Sequence, residues 1–130
     1  MKISIEDYLS EIFKTVNRFK PFIVLHSIEH QRRSDTRHVI RGRITFRDGS
    51  KLDFLEYIVI KDRKVTRISY RYNFRDSRGK LIFRYDNAPH YPNLLTFPRQ
   101  RHLSNGRVVE SEEPSLPNVL KEIISIVFVH

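Results

Sequence analysis

Cysteine is absent from the 130 residues, which removes disulfides, thiolate–zinc sites and cysteine nucleophiles together. No apolar run approaches the roughly 18 residues of a membrane-spanning helix. The opening MKISIEDYLSEIFK carries acids among its apolar positions, unlike a signal peptide. Internal repeats, low-complexity tracts and linkers are also missing. The expectation is one domain, residues 1–130, in a cytoplasmic protein with no membrane partner, since a chain of this length buries one continuous core without staples.

Charge is what the chain has in excess. The formal net charge is +9, and Lys61 to Arg84 holds nine basic residues against two acids, whereas Val108 to His130 holds one against four. A basic surface favours polyanions because binding nucleic acid releases its counterions. It serves equally for an acidic protein partner.

Two amphipathic helices bracket the chain. Ile5, Tyr8, Leu9, Ile12, Phe13 and Val16 fall at helical spacing after the N-cap candidate Ser4, with Asp7 three residues on and Pro21 beyond the end. Leu116, Val119, Leu120, Ile123, Ile124 and Val127 repeat the pattern after Ser115, with Pro117 in the first turn where its missing N–H costs nothing. Between them, short turns at 47–50, 61–64 and 75–80 separate runs rich in β-branched and aromatic residues. Such short connections join antiparallel neighbours. The predicted fold is α+β: an antiparallel meander of about five strands, near 22–31, 37–47, 51–60, 64–74 and 80–86, with both helices packed on one face.

Period-two alternation sorts the charges. Arg67, Arg71 and Arg75 alternate with Ile68, Tyr70, Tyr72 and Phe74, and Arg37, Arg41, Arg43 and Arg47 alternate with His38, Ile40, Ile44 and Phe46. One basic face is expected, with Arg67 and Arg71 as phosphate contacts; a merely solvated face is the plainer reading. Glu56 breaks an apolar strand, so a buried carboxylate is expected, either ion-paired to an arginine on a neighbouring strand or acting as an acid or base. His26, His30 and His38 fall on strands and read as structural or surface residues.

The segment FRYDNAPHYPNLLTFPRQRH, residues 83–102, begins as a strand and then, with three prolines, reads as irregular. Stiffened by Pro89, Pro92 and Pro98, it can hold Arg84, Asp86, Asn87, His90, Arg99, Arg101 and His102 over the sheet. Asp86-Asn87 before Ala-Pro is also a common Asx-turn composition. Histidine moves protons near neutral pH and arginine stabilises a pentavalent phosphate, a set sufficient for metal-free RNA cleavage. A metal held by Asp86, His90 and His102 matches no recognised spacing, so neither metal nor cofactor is expected.

DGS.L.F.EY, YRYNF, LIFRYDNAPHYPNLLTFPRQRH and VVESEEP together resemble the TumE family of small toxins from toxin–antitoxin pairs, over most of the chain from about Gly42 to the last helix. The resemblance implies a growth-inhibiting protein whose partner is a cognate antitoxin, a DNA-binding protein of helix-turn-helix type. Where the family usually has a histidine-rich HHKH after TFP, this chain has RQRH, leaving only His102 of that cluster beside His90. The expected function is a toxin acting on RNA as a metal-independent ribonuclease. His90, His102, Glu56 and Arg84 are its catalytic candidates, and Arg67, Arg71, Tyr85, Arg99 and Arg101 its nucleic-acid contacts. The alternative is a non-enzymatic module that binds nucleic acid or antitoxin, and a homodimer is compatible with either.

Overall fold

The computed structural model describes residues 4–128. Helix α1, Ile5–Arg18, starts in a capping box in which Ser4 and Asp7 satisfy each other's backbone N–H groups. It stops before a single 3-10 turn, Lys20–Phe22, that contains Pro21. Helix α2, Leu116–Val127, is capped by the Ser115 hydroxyl, which accepts from Asn118 N–H.

Seven antiparallel strands run in simple sequence order between them: β1 Ile23–Arg32, β2 Arg37–Phe46, β3 Lys51–Lys61, β4 Lys64–Arg75, β5 Leu81–Asp86, β6 Gln100–Leu103 and β7 Val108–Glu110. The α+β meander is as expected, with two strands more than the five predicted. β6 and β7 span four and three residues, too few to show an alternating pattern. Their hairpin closes over the three residues Ser104, Asn105 and Gly106, with Leu103 N–H bonded to Arg107 C=O at 2.8 Å. Asn-Gly is the strongest short-range hairpin signal, and it marks this turn. The irregular segment therefore covers only 87–99, and His102 belongs to a strand.

Both helices cover one face of the sheet. Ile12 and Val16 of α1 and Leu120 and Ile123 of α2 share a core with Ile40, Ile44, Phe46, Leu52, Phe54, Ile58, Tyr72, Phe74 and Phe83. Among the described residues the other face carries no helix. Among the described residues no helix is long and apolar enough to cross a membrane.

Gly42 of β2 lies opposite Phe54 in register, on the covered face. A Cβ built at Gly42 would overlap Cε1 and Cζ of the Phe54 ring, which is 3% exposed and has nowhere to retreat. Gly42→Ala should therefore overpack the core and lower unfolding free energy by about 1–3 kcal/mol, measured by denaturant titration. An unchanged midpoint would contradict that packing.

Candidate active site and arginine face

A single extra residue decides which arginines face outward. In the β3–β4 pairing Tyr57 opposes Ser69 but Ile58 opposes Arg67, so Ile68 is left over as a β-bulge. One inserted residue reverses the faces on one side of it. Arg67 thus points to the covered side, with Tyr70 and Tyr72, while Ser69, Arg71 and Asn73 point to the open side. The expectation that Arg67 and Arg71 share a basic face is corrected by this bulge.

The buried carboxylate explains why an arginine turns inward. Glu56 is 2% exposed and accepts hydrogen bonds from the hydroxyls of Tyr8 on α1 and Tyr72 on β4, while Arg67 Nη1 lies 3.4 Å from its Oε2. Arg67 also donates to the Tyr72 hydroxyl and to the Pro114 carbonyl ahead of α2, and stacks over Tyr70 at 4.7 Å. Burial, then the neighbouring carboxylate, pushes the pKa values of Tyr8 and Tyr72 upward, so both phenols keep the protons they donate. Glu56 is the ion-paired residue of the two readings above, and it lies across the sheet from His90 and His102.

Arg101 and Tyr85 also face the helices. Arg101 Nη1 lies 2.7 Å from Glu122 Oε2 of α2, and the Tyr85 hydroxyl donates to Glu122 Oε1 at 2.8 Å while accepting from Arg101. Burial, then the hydrogen bond to Glu122, raises the Tyr85 pKa to about 12. Arg99, in the turn before β6, sits 3.7 Å from Glu112. None of the three joins Arg71.

The open face brings a different set together. Antiparallel pairing of β5 with β6 sets Arg84 opposite His102 and Asp86 opposite Gln100, and pairing of β5 with β4 sets Asp86 opposite Arg71. Asp86, 7% exposed, accepts from Gln100 Nε2 at 2.5 Å, Ala88 N–H at 3.0 Å and Arg84 Nε at 3.2 Å, and His102 Nε2 lies 3.1 Å from its Oδ2. A carboxylate there favours the proton on Nε2, which makes Nδ1 the unprotonated nitrogen. Arg84 Nη2 is 3.4 Å from both ring nitrogens of His102, which puts the guanidinium over the ring. The Tyr91 ring stands edge-on to it, 5.9 Å between centroids.

The loop is pinned where β5 ends. Asn87 continues the ladder with its side chain, accepting from Tyr70 N–H at 3.0 Å and donating to Ile68 C=O at 3.1 Å, so it also satisfies the backbone beside the bulge. Thr96 holds the far end through Arg99 C=O and Ser111 N–H. His90 is exposed, yet it lines the same cavity as His102, a space of about 370 Å³ bounded also by Arg71, Arg84, Asp86, Tyr91 and Gln100. A trough of about 610 Å³ adjoins it, lined by Arg41, Arg43, Asp53, Leu55, Arg71, Asn73, Arg75 and Arg84. His90, His102, Arg84 and Arg71 of the expected set are thus brought together; Asp86 and Gln100 complete the cluster. By spacing alone Asp86 is an Asx-turn residue or a weak metal ligand, and Gln100 carries no signal at all, because only β6 puts it beside Asp86. Among the described residues no three histidine, aspartate or glutamate side chains cluster as a metal site.

Fold and site define a small basic α+β protein with a histidine–carboxylate cluster on an arginine-rich open sheet. A family model for the toxin TumE matches residues 12–127, and the chain belongs to that toxin family. Membership implies a cognate antitoxin. No curated protein and no solved structure matches the chain.

Two outcomes follow from the geometry. Arg67→Ala would strand the Glu56 carboxylate in the core and should lower stability by about 3–5 kcal/mol, whereas Arg71→Ala should change it by no more than about 0.5 kcal/mol. Equal midpoints for the two variants in denaturant titration would contradict the assigned faces. The second concerns pH: burial, reinforced by the Arg84 charge, lowers the His102 pKa below its ordinary 6.5, against the pull of Asp86. Burial and His30 lower that of His38 likewise. The unfolded chain then binds more protons, so this stability is present above pH 6.5 and lost as pH falls through the lowered values. His102→Asn should reduce the slope of unfolding free energy against pH between 7 and 5; an unchanged slope would refute the assignment.

Proposed function

We propose that the protein is the toxin of a toxin–antitoxin pair that cleaves RNA without a metal, using the cluster on the open face. His102, held by Asp86, takes the proton from a ribose 2′-hydroxyl at Nδ1. The freed 2′-oxygen attacks the adjacent phosphorus, the P–O5′ bond breaks, and His90 returns a proton to the departing 5′-oxygen. The products are a 2′,3′-cyclic phosphate and a 5′-hydroxyl. Arg84 and Arg71 stabilise the charge on the pentavalent phosphate. Its cognate antitoxin is, on this reading, a helix-turn-helix DNA-binding protein.

The observation that supports the reading is the convergence of His90, His102, Asp86, Arg84 and Arg71 on one cavity that opens into a basic trough. A lowered His102 pKa suits the role, since a general base must be neutral at working pH. Glu56, Arg67, Tyr85 and Arg101, bonded to one another or to the helices, take structural roles in this scheme.

Expression without antitoxin tests it. His102→Ala, Asp86→Asn and His90→Ala should each relieve growth inhibition and lower cleavage of total RNA by about 10²–10⁴-fold, with EDTA leaving the parent's rate unchanged. His90, exposed and without a side-chain hydrogen bond among the described residues, should leave the melting temperature unaltered. Tight RNA binding with no cleavage by the parent would instead support a binding module.

A further inference from the structure

The register of the sheet arranges the open-face residues in two rows that cross the strands. One row, from β1 to β7, reads Glu29, Arg41, Leu55, Arg71, Asp86, Gln100, Glu110; the next, from β1 to β6, reads Ser27, Arg43, Asp53, Asn73, Arg84, His102. We infer that a single strand of RNA lies along these rows, perpendicular to the β-strands, and that the chain it follows leaves the histidine cluster on one side only, toward β2. The inference rests on the nucleic-acid reading of the site and adds the form of the substrate and its direction.

Direction comes from the ends of the rows. Beyond Gln100 the first row meets Glu110 on the edge strand β7, an exposed acid that repels phosphate. Toward β2 it meets Arg71 and then Arg41, neither of which has a carboxylate within ion-pair distance among the described residues, whereas Arg43 is held by Asp53 at 2.6 Å. Arg41 and Arg71 are therefore free to neutralise phosphate. The path ends at Glu29. Between β2 and β5 lie three strand intervals of about 4.8 Å, about 14 Å in all, room for about two or three extended nucleotides.

Three features favour a single strand over a duplex. Leu55 sits half-buried between the two free arginines, an apolar floor for a ribose or base. Tyr91 is 39% exposed beside His102, a ring on which only an unpaired base can stack. Asn73 and Gln100, one in each row, line the two cavities with side-chain amides, the groups that hydrogen-bond the edge of an unpaired base.

The test uses mixed-sequence oligonucleotides made uncleavable by 2′-O-methylation, of two, four, six and eight nucleotides, and an eight-base-pair duplex, with binding followed by fluorescence anisotropy at low salt. Affinity should rise up to about four to six nucleotides and then level off, with the duplex weaker. Arg41→Ala should weaken the hexamer about five- to tenfold and leave the dinucleotide unchanged, while Lys121→Ala on the helix-covered side changes neither. Equal loss at every length, no loss, or a duplex bound as tightly as the hexamer would overturn the inference. So would failure to bind any oligonucleotide, the result expected if the trough takes an acidic peptide. If unmodified RNA is not cleaved but the Arg41 and length dependences hold, the cleavage reading falls and the binding path stands. If RNA is cleaved but neither dependence is seen, the binding path falls and the cleavage reading stands.

Discussion

The buried Glu56 carboxylate is the constraint on which the arrangement of charges depends. A carboxylate 2% exposed beneath two helices needs donors and a counter-charge. It takes them from two elements at once: Tyr8 of α1, and Tyr72 and Arg67 of β4 from either side of the bulge, with Arg67 reaching on to the backbone ahead of α2. The network ties both helices to the same side of the sheet. It also requires one arginine to turn inward, which the extra residue at Ile68 permits. Replacing such a network with well-packed apolar side chains is often neutral or stabilising, so its consequence here is orientation more than stability.

The other face follows from what the helices do not cover. With Arg67 and Arg101 bonded on the helix side, the open side is left with Arg41, Arg71, Arg75 and Arg84 and the histidine cluster. Part of the positive charge of a +9 chain thus lies on the face that the two helices do not cover. The bulge has a second effect through Asn87, whose side chain bonds to the backbone at Ile68 and Tyr70. That contact fixes the start of the 87–99 loop, and so the loop that carries His90 is anchored to the distortion that sorts the arginines.

Much of the architecture is legible in local pattern, because amphipathic period and turn chemistry are local properties. α2 coincides with its apolar repeat, and the five long strands lie within a residue or two of their expected limits. The bulge is not legible as such, although Val65, which shares the covered face with Arg67 and packs against the core, is a trace of it. β6 and β7 are hidden by their shortness. That omission matters for the site: with His102 in a loop, nothing connects it to Asp86, whereas one ladder of hydrogen bonds between β5 and β6 makes them neighbours. Candidate residues are therefore recognisable by chemistry, and their grouping only by register.

The central claim is that the face without helices is the working face. Side-chain NMR of arginine and histidine in the parent protein, titrated with an uncleavable single-stranded oligonucleotide, tests it most directly. Shifts are expected at Arg41, Arg71, Arg84 and His102, with Arg67 and Arg101 unmoved in their bonds to Glu56 and Glu122. Shifts confined to Arg67, Arg101 or the residues of α1 and α2 would contradict it.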